Sequence, residues 1–214
     1  MGVAVNDLSA LPKRGVLATP SEELARLHFE AYALALGKVA HAWNYLFESL
    51  GRLFVPIAGG NPHVATAIWY APDSDRTKVD MLKEAISTPG QQPFWLPEFP
   101  AAKDDILWMI EKVKNLTDLR NNVIHAPCVL RTDRDGTAMS ASFNGHGRAK
   151  KLWGKEILVE FDYCERWAES LSRFTLAMAR ALYDRHLAWP GRPGKPDRIP
   201  KKILLSRLNP EATR

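Results

Sequence analysis

The sequence predicts a mainly α-helical, up-and-down bundle with a small β-hairpin insertion between its last two long helices. Three observations carry this. Apolar residues recur at alternating three- and four-residue steps through long stretches of the chain, the period of a helix face that packs in a bundle. Over about residues 128–161 the period shortens around an Asp133-Arg134-Asp135-Gly136 turn, as strands joined by a tight turn require. The segment 88–100, with four prolines and one glycine, falls between periodic stretches and reads as a loop.

In chain order, residues 1–18 read as a loose lead-in. Thr19-Pro20-Ser21-Glu22 is a helix start: Thr19 can cap, Pro20 suits the first helical position, and Glu22 completes a capping box. The helix that follows carries a seam of Leu36, Val39, Trp43, Leu46, Leu50 and Leu53. Running to Pro56 it would be about 35 residues and ~52 Å long, so a break or bend is expected near Gly37 or Gly51. Asn61-Pro62 restarts a short helix through Tyr70, and Asp73 or Ser74 caps another that ends before Pro89. In the loop 88–100, Phe94, Trp95 and Phe99 are placed to plug a groove. The central helix runs from about Ala102 to His125 and stops at Ala126-Pro127, because the residue before a proline is pushed out of the helical region. Strands are expected at 129–132 and 137–143, then a glycine- and lysine-rich loop, then a third strand at 156–161. Asp162-x-x-Glu165 reads as the capping box of a last helix that runs to about Ala188. The organisation is thus a lead-in (1–18), one helical domain (19–189, with its β insertion at about 128–161) and a basic, proline-rich tail (190–214).

Composition narrows the function classes. With 46% hydrophobic and 25% charged residues in 214, the chain has the make-up of a globular domain. The opening MGVAVNDLSALPKRG has no basic stretch leading into an apolar core, so no signal peptide is expected. No run reaches the ~18 uninterrupted apolar residues of a membrane span. Cys128 and Cys164 are too few for a disulfide framework and lack zinc-ligand spacing. His28, His41, His63 and His186 share no short spacing with acids or cysteines. The expectation is a cytoplasmic protein with no metal site and no cofactor. A Walker loop, a Gly-x-Gly-x-x-Gly turn and a nucleophile elbow are all missing from the sequence. The formal charge of +5 resides in the tail: from Pro190 onward seven basic residues and two acids account for it, leaving 1–189 neutral. The body therefore offers nucleic acid no strong field, and the tail is expected as a solvated arm or as a strap clasping a second protomer.

The most informative feature is Arg120-Asn121-Asn122-Val123-Ile124-His125 at the end of the central helix. Arg followed by His at this spacing is weak alone. With 16 arginines and six histidines, chance supplies about half a match in a chain of this length. A looser spacing also finds Arg180 and His186, but Arg180 is followed by Ala181 and Leu182 and is set aside. The first match has context. At 100° per residue, Ile106, Met109, Ile110, Val113, Leu116, Val123 and Ile124 span an arc of roughly 140° with Arg120 near its middle. A guanidinium on a buried face is costly unless it is paired or lines a polar cleft. Asn121 and His125 are four apart and share one flank of that face. His125 also lies where the helix dipole favours a cation, which suits a group that handles protons near neutrality.

The stretch from Leu116 through Arg120, Asn121 and His125 to Pro127 resembles the signature of HEPN domains, helical bundles marked by Arg, a polar residue and then His near the end of a long helix. The motif covers about a dozen residues, and the order of helices extends the similarity loosely over 20–188, with the hairpin as a departure. The resemblance implies a metal-independent endoribonuclease, often a toxin or a phage-defence component, whose two protomers face their motifs across a cleft. The implied partners are a second copy of the chain, an RNA substrate and an antitoxin or other regulatory protein. The residues suit the chemistry. His125 would act as general acid or base, Arg120 would hold the phosphate through two nitrogens, and Asn121 would orient His125 or the phosphate. The alternative is a non-catalytic dimeric binding or scaffold module. There Arg120 bonds a carboxylate on a neighbouring helix, Asn121 braces a loop and His125 caps the last carbonyls. A weaker signal is the basic loop of Arg148, Lys150, Lys151, Trp153 and Lys155, which either grips RNA phosphates and stacks a base or is simply solvated. Trp43, Trp69, Trp108 and Trp167 are expected in the core.

Overall fold

One 37-residue helix, α1 (Glu22–Ala58), forms the spine of the molecule. The computed structural model describes residues 22–88, 97–126, 128–133, 136–141, 147–152, 154–200 and 204. After α1 come α2 (Pro62–Tyr70), α3 (Asp75–Ser87), α4 (Ala102–His125), strands β1 (Cys128–Asp133) and β2 (Gly136–Ala141), α5 (Gly147–Leu152) and α6 (Ile157–Tyr183). The lead-in, Thr19 and Pro20, the loop residues Phe94 and Trp95, and Trp153 lie outside the described residues. Among the described residues no helix is long and apolar enough to cross a membrane.

The core is built chiefly between α1 and α6. Val39, Trp43, Leu46, Leu50 and Leu53 are buried as the seam on α1 requires, with Leu36 packed at its edge. In the same core lie Phe161, Trp167, Leu171, Phe174 and Met178 of α6. Each fully enclosed leucine or phenylalanine contributes about 1.5–3 kcal/mol. One polar contact fixes the register of the two helices: the hydroxyls of Ser49 and Ser172, both buried, lie 2.7 Å apart, and the Ser49 hydroxyl also bonds the Tyr45 carbonyl.

α1 is continuous: the helix passes through Gly37, Gly51 and Pro56 to Ala58 without a break. Gly51 has a different use. A Cβ there would lie 2.6 Å from Nε1 of Trp69, so the bare backbone lets the buried indole of α2 seat directly on α1, tilted against Phe54 at 5.4 Å. Pro56 falls in the last turn, so little helix follows it, and Gly59 and Gly60 come next with positive φ. Gly51→Ala is therefore expected to destabilise the fold by about 1–3 kcal/mol through overpacking. Urea unfolding checks this, as a lower midpoint at an unchanged slope.

Local signals set the shorter helices. Asn61 accepts from the His63 amide at 2.9 Å ahead of Pro62, and Ser74 caps α3. The Trp43 indole donates to Asp75 at 2.9 Å, tying the start of α3 to α1. On α4 the buried residues include Ile106, Met109, Ile110, Val113, Leu116 and Val123, the apolar arc of the sequence. The helix ends at Ala126, whose extended backbone still lets its N–H reach the Asn122 carbonyl at 3.0 Å.

β1 and β2 pair antiparallel from Cys128↔Ala141 to Asp133↔Gly136. Among the described residues strand structure goes no further. Residues 147–152, expected as loop, are the helix α5, and residues 156–161, expected as a strand, are the N-cap Glu156 and the start of α6. The apolar run there was ambiguous, since a short buried strand and a buried helix segment share it. Burial of Ile157, Leu158, Phe161 and Cys164 follows the helical period. Asp162 and Glu165 consequently lie inside the helix rather than at its cap, and Asp162 pairs instead with Arg166 one turn on, at 2.7 Å.

The tail also differs from expectation. Over its described part it is not a solvated arm but lies as a strap across its own bundle. The Trp189 indole donates to Asp105 of α4 at 2.7 Å, and Arg192 pairs with the same carboxylate. Arg198 forms a two-pronged pair with Glu160 of α6, at 2.6 and 3.0 Å. Both acids sit on buried faces: Asp105 is 7% exposed and Glu160 2%. Carboxylates so placed need cationic partners, and the tail supplies them. Phe99, the described aromatic of the 88–100 loop, is buried against Trp189 at 5.1 Å.

Candidate functional site

Arg120 leaves α4 towards α1. It is only partly buried, and its guanidinium carbon stands 5.3 Å from the centre of the Trp43 ring, within range of a cation–π attraction. Nη1 donates to Oδ1 of Asn121 at 2.9 Å. Nε is buried and has no hydrogen-bond acceptor, and the ion pairs among the described residues all use other cations. The carboxylate that a structural arginine would seek on a neighbouring helix is thus not found among the described residues.

Asn121 is the hub. Its side chain accepts from Arg120, and its backbone carbonyl accepts from Nη1 of Arg148 at 3.0 Å. That second bond spans 27 residues and brings α5 against the end of α4. Two guanidinium groups therefore meet at one asparagine. Asn122 is buried beside it. His125 lies in the last turn of α4, exposed to solvent, and no side-chain hydrogen bond joins its imidazole to Arg120 or Asn121. The structure thus brings Arg120, Asn121 and Arg148 together and leaves His125 projecting from the same helix end. Lys150, Lys151 and Lys155 are exposed on or just after α5; Trp153 is not described.

Two contributions escaped the sequence. Trp43 belongs to the apolar seam of α1 and reads as core, yet it is also the shelf beneath Arg120. The bond between Arg148 and Asn121 has no local signature, because nothing in the sequence announces that 147–152 coils into a helix. Trp108, expected in the core, is only partly buried, at the seam between α4, α6 and the strap.

Neither described thiol has the lowered pKa of an activated nucleophile. Cys164 is buried in α6, and its pKa is pushed up to about 12, first by desolvation and then by the Glu160 carboxylate, with Arg198 and Arg120 opposing. Burial likewise raises the Cys128 thiol, against a hydrogen bond with Tyr32. A thiol rather than a thiolate neither attacks nor binds metal. Cys164 is accordingly expected to resist a thiol-alkylating reagent at neutral pH and to react on unfolding, as mass spectrometry of labelled native and denatured protein would read. Among the described residues no three His, Cys, Asp or Glu side chains gather to hold a metal ion.

Comparison of the chain with protein-family models, with curated proteins and with solved structures finds no match.

Proposed function

We propose that the chain is a metal-independent endoribonuclease of HEPN type that acts as a homodimer, in a toxin or defence setting, through Arg120, Asn121 and His125. The observation that carries this reading is the state of Arg120. Its guanidinium is held by Trp43 and Asn121, has no carboxylate among the described residues, and keeps a buried Nε without an acceptor. Buried unsatisfied donors are uncommon and cluster where function needs them. An arginine fixed in place but unneutralised, next to Arg148, suits a phosphodiester better than it suits the interior.

The reaction needs no group that the chain lacks. The RNA 2′-hydroxyl loses its proton to one imidazole, and its oxygen attacks the adjacent phosphorus. The bond from phosphorus to the 5′-oxygen breaks, and that oxygen takes a proton from an acid. The products are a 2′,3′-cyclic phosphate and a 5′-hydroxyl. Arg120 and Arg148 offset the charge that gathers on the phosphorane, and Asn121 holds both in register. One protomer brings one such histidine, so the dimer provides the second proton carrier: His125 acts as base and His125 of the partner subunit as acid. Lys150, Lys151 and Lys155 meet the flanking phosphates.

A binding module built on the same residues would hold RNA, or a partner protein, without cutting it. Incubating purified protein with a mixed RNA pool in EDTA separates the two: cleavage with cyclic-phosphate ends is expected, and RNA left intact at every concentration would overturn the nuclease reading.

A further inference from the structure

Between α4, α6 and the strap lies a cavity of about 300 Å³, on the order of the smallest small-molecule sites. Trp108 and Lys112 line it from α4, Tyr163 and Trp167 from α6, and Lys195 and Arg198 from the strap. We propose that this seam is a binding site for a small ligand that joins a phosphate or comparable oxyanion to a flat apolar ring.

The cationic side is set in advance. Lys112 Nζ lies 5.6 Å from the Trp108 ring, Lys195 Nζ 5.8 Å from the Tyr163 ring, and the Arg198 guanidinium 4.3 Å from that same ring. Holding these long side chains on aromatic faces removes part of the ordering cost that an incoming anion would otherwise meet. The charges are not equally available. Glu160 takes up Arg198 through both oxygens, and Lys112 touches the exposed Glu111 at 3.0 Å. Lys195 forms no ion pair among the described residues and is the principal anchor. No carboxylate is among the described lining residues, and Asn115 adds an amide at the rim.

The apolar side is equally defined. Trp108 and Trp167 meet edge to face at 6.4 Å, and Leu116 and Leu119 continue the wall along α4. A ring set against indole edge and leucine methyls leaves its anionic substituent facing Lys195 and Lys112. A site with only cations would take any phosphate, and one with only rings any aromatic; together they select a molecule carrying both. Arg120 and His125 do not line this cavity, so the assignment stands apart from the nuclease reading.

Phenyl phosphate is the smallest probe with both parts, and calorimetric titration of the full chain is the test. It is expected to bind at least about tenfold more tightly than either phenol or inorganic phosphate. Lys195→Ala should weaken it about tenfold or more, the loss of one charge-assisted contact. Asn115→Ala should weaken it less, and Lys38→Ala, which lies in a different cleft between α1 and α6, should leave it unchanged. Lys195 and Asn115 are exposed, so both variants should fold, with thermal unfolding as the check. Absence of saturable binding, equal affinity for inorganic phosphate, or indifference to both Lys195→Ala and Asn115→Ala would overturn the proposal.

Discussion

His125→Ala is expected to lower RNA cleavage in EDTA by about 10²–10⁴-fold, the usual contribution of a general acid or base, while leaving the unfolding midpoint where it was. The two halves of this result come from one fact: His125 is exposed at the end of α4 and its imidazole makes no hydrogen bond to Arg120 or Asn121. Deleting a solvated imidazole removes little folding energy. Arg120→Ala is expected to be as damaging to cleavage but still mild for the fold. It forfeits one cation–π contact, worth about 0.5–1 kcal/mol, and one side-chain hydrogen bond worth about 1 kcal/mol, and it removes a buried donor that had no acceptor. Had Arg120 been half of a buried ion pair, its loss would cost about 3–5 kcal/mol. Cleavage rates and urea midpoints on both variants therefore decide between nuclease and scaffold. Inactive but stable variants of an active parent support catalysis. A destabilised Arg120→Ala in a chain that never cleaves RNA supports a structural motif.

How far the sequence reached depended on how local the determinant was. The buried face of α4 was legible because Ile106, Met109, Ile110, Val113, Leu116 and Val123 repeat at the helical period, and its end because a residue before proline, here Ala126, is pushed towards extended backbone. The caps at Asn61 and Ser74 were legible for the same reason. Gly51 does not interrupt the helix: glycine lowers helix propensity in general, while its role here is set by Trp69, 18 positions away, needing room. The run Ile157–Phe161 misled because five residues are too few to tell a period of two from one of 3.6, and only packing of the whole of α6 on α1 decides it. At the site, the motif itself was visible, but the shelf of Trp43 under Arg120 and the bond from Arg148 to Asn121 are tertiary facts. Charge counting failed most plainly at the tail. A neutral body and a basic tail look like two independent parts until Asp105 and Glu160 are known to be buried.

Arg198→Ala is expected to be the most destabilising single change in the strap, at about 3 kcal/mol, the lower part of the range for stranding one member of a buried pair. The lower part applies because the pair is asymmetric: the Glu160 side chain is 3% exposed and that of Arg198 45%, so water can partly replace the guanidinium once it is gone. The loss also removes the cation from the Tyr163 ring and loosens the strap's hold on α6. If the stranded carboxylate is the cause, Glu160→Gln should cost less than Arg198→Ala, and the double variant should be more stable than Arg198→Ala alone. That sign of coupling, in a double-mutant cycle read by urea unfolding, would show that the strap is needed because the bundle buries an acid. Deletion of residues 190–214 should then destabilise the bundle at least as much as Arg198→Ala, since it removes the Arg192 cation from Asp105 as well. Strict additivity in the cycle, or a truncated chain as stable as the parent, would mean that the tail rests on the surface without supporting it, and the basic residues would again be free to engage a partner.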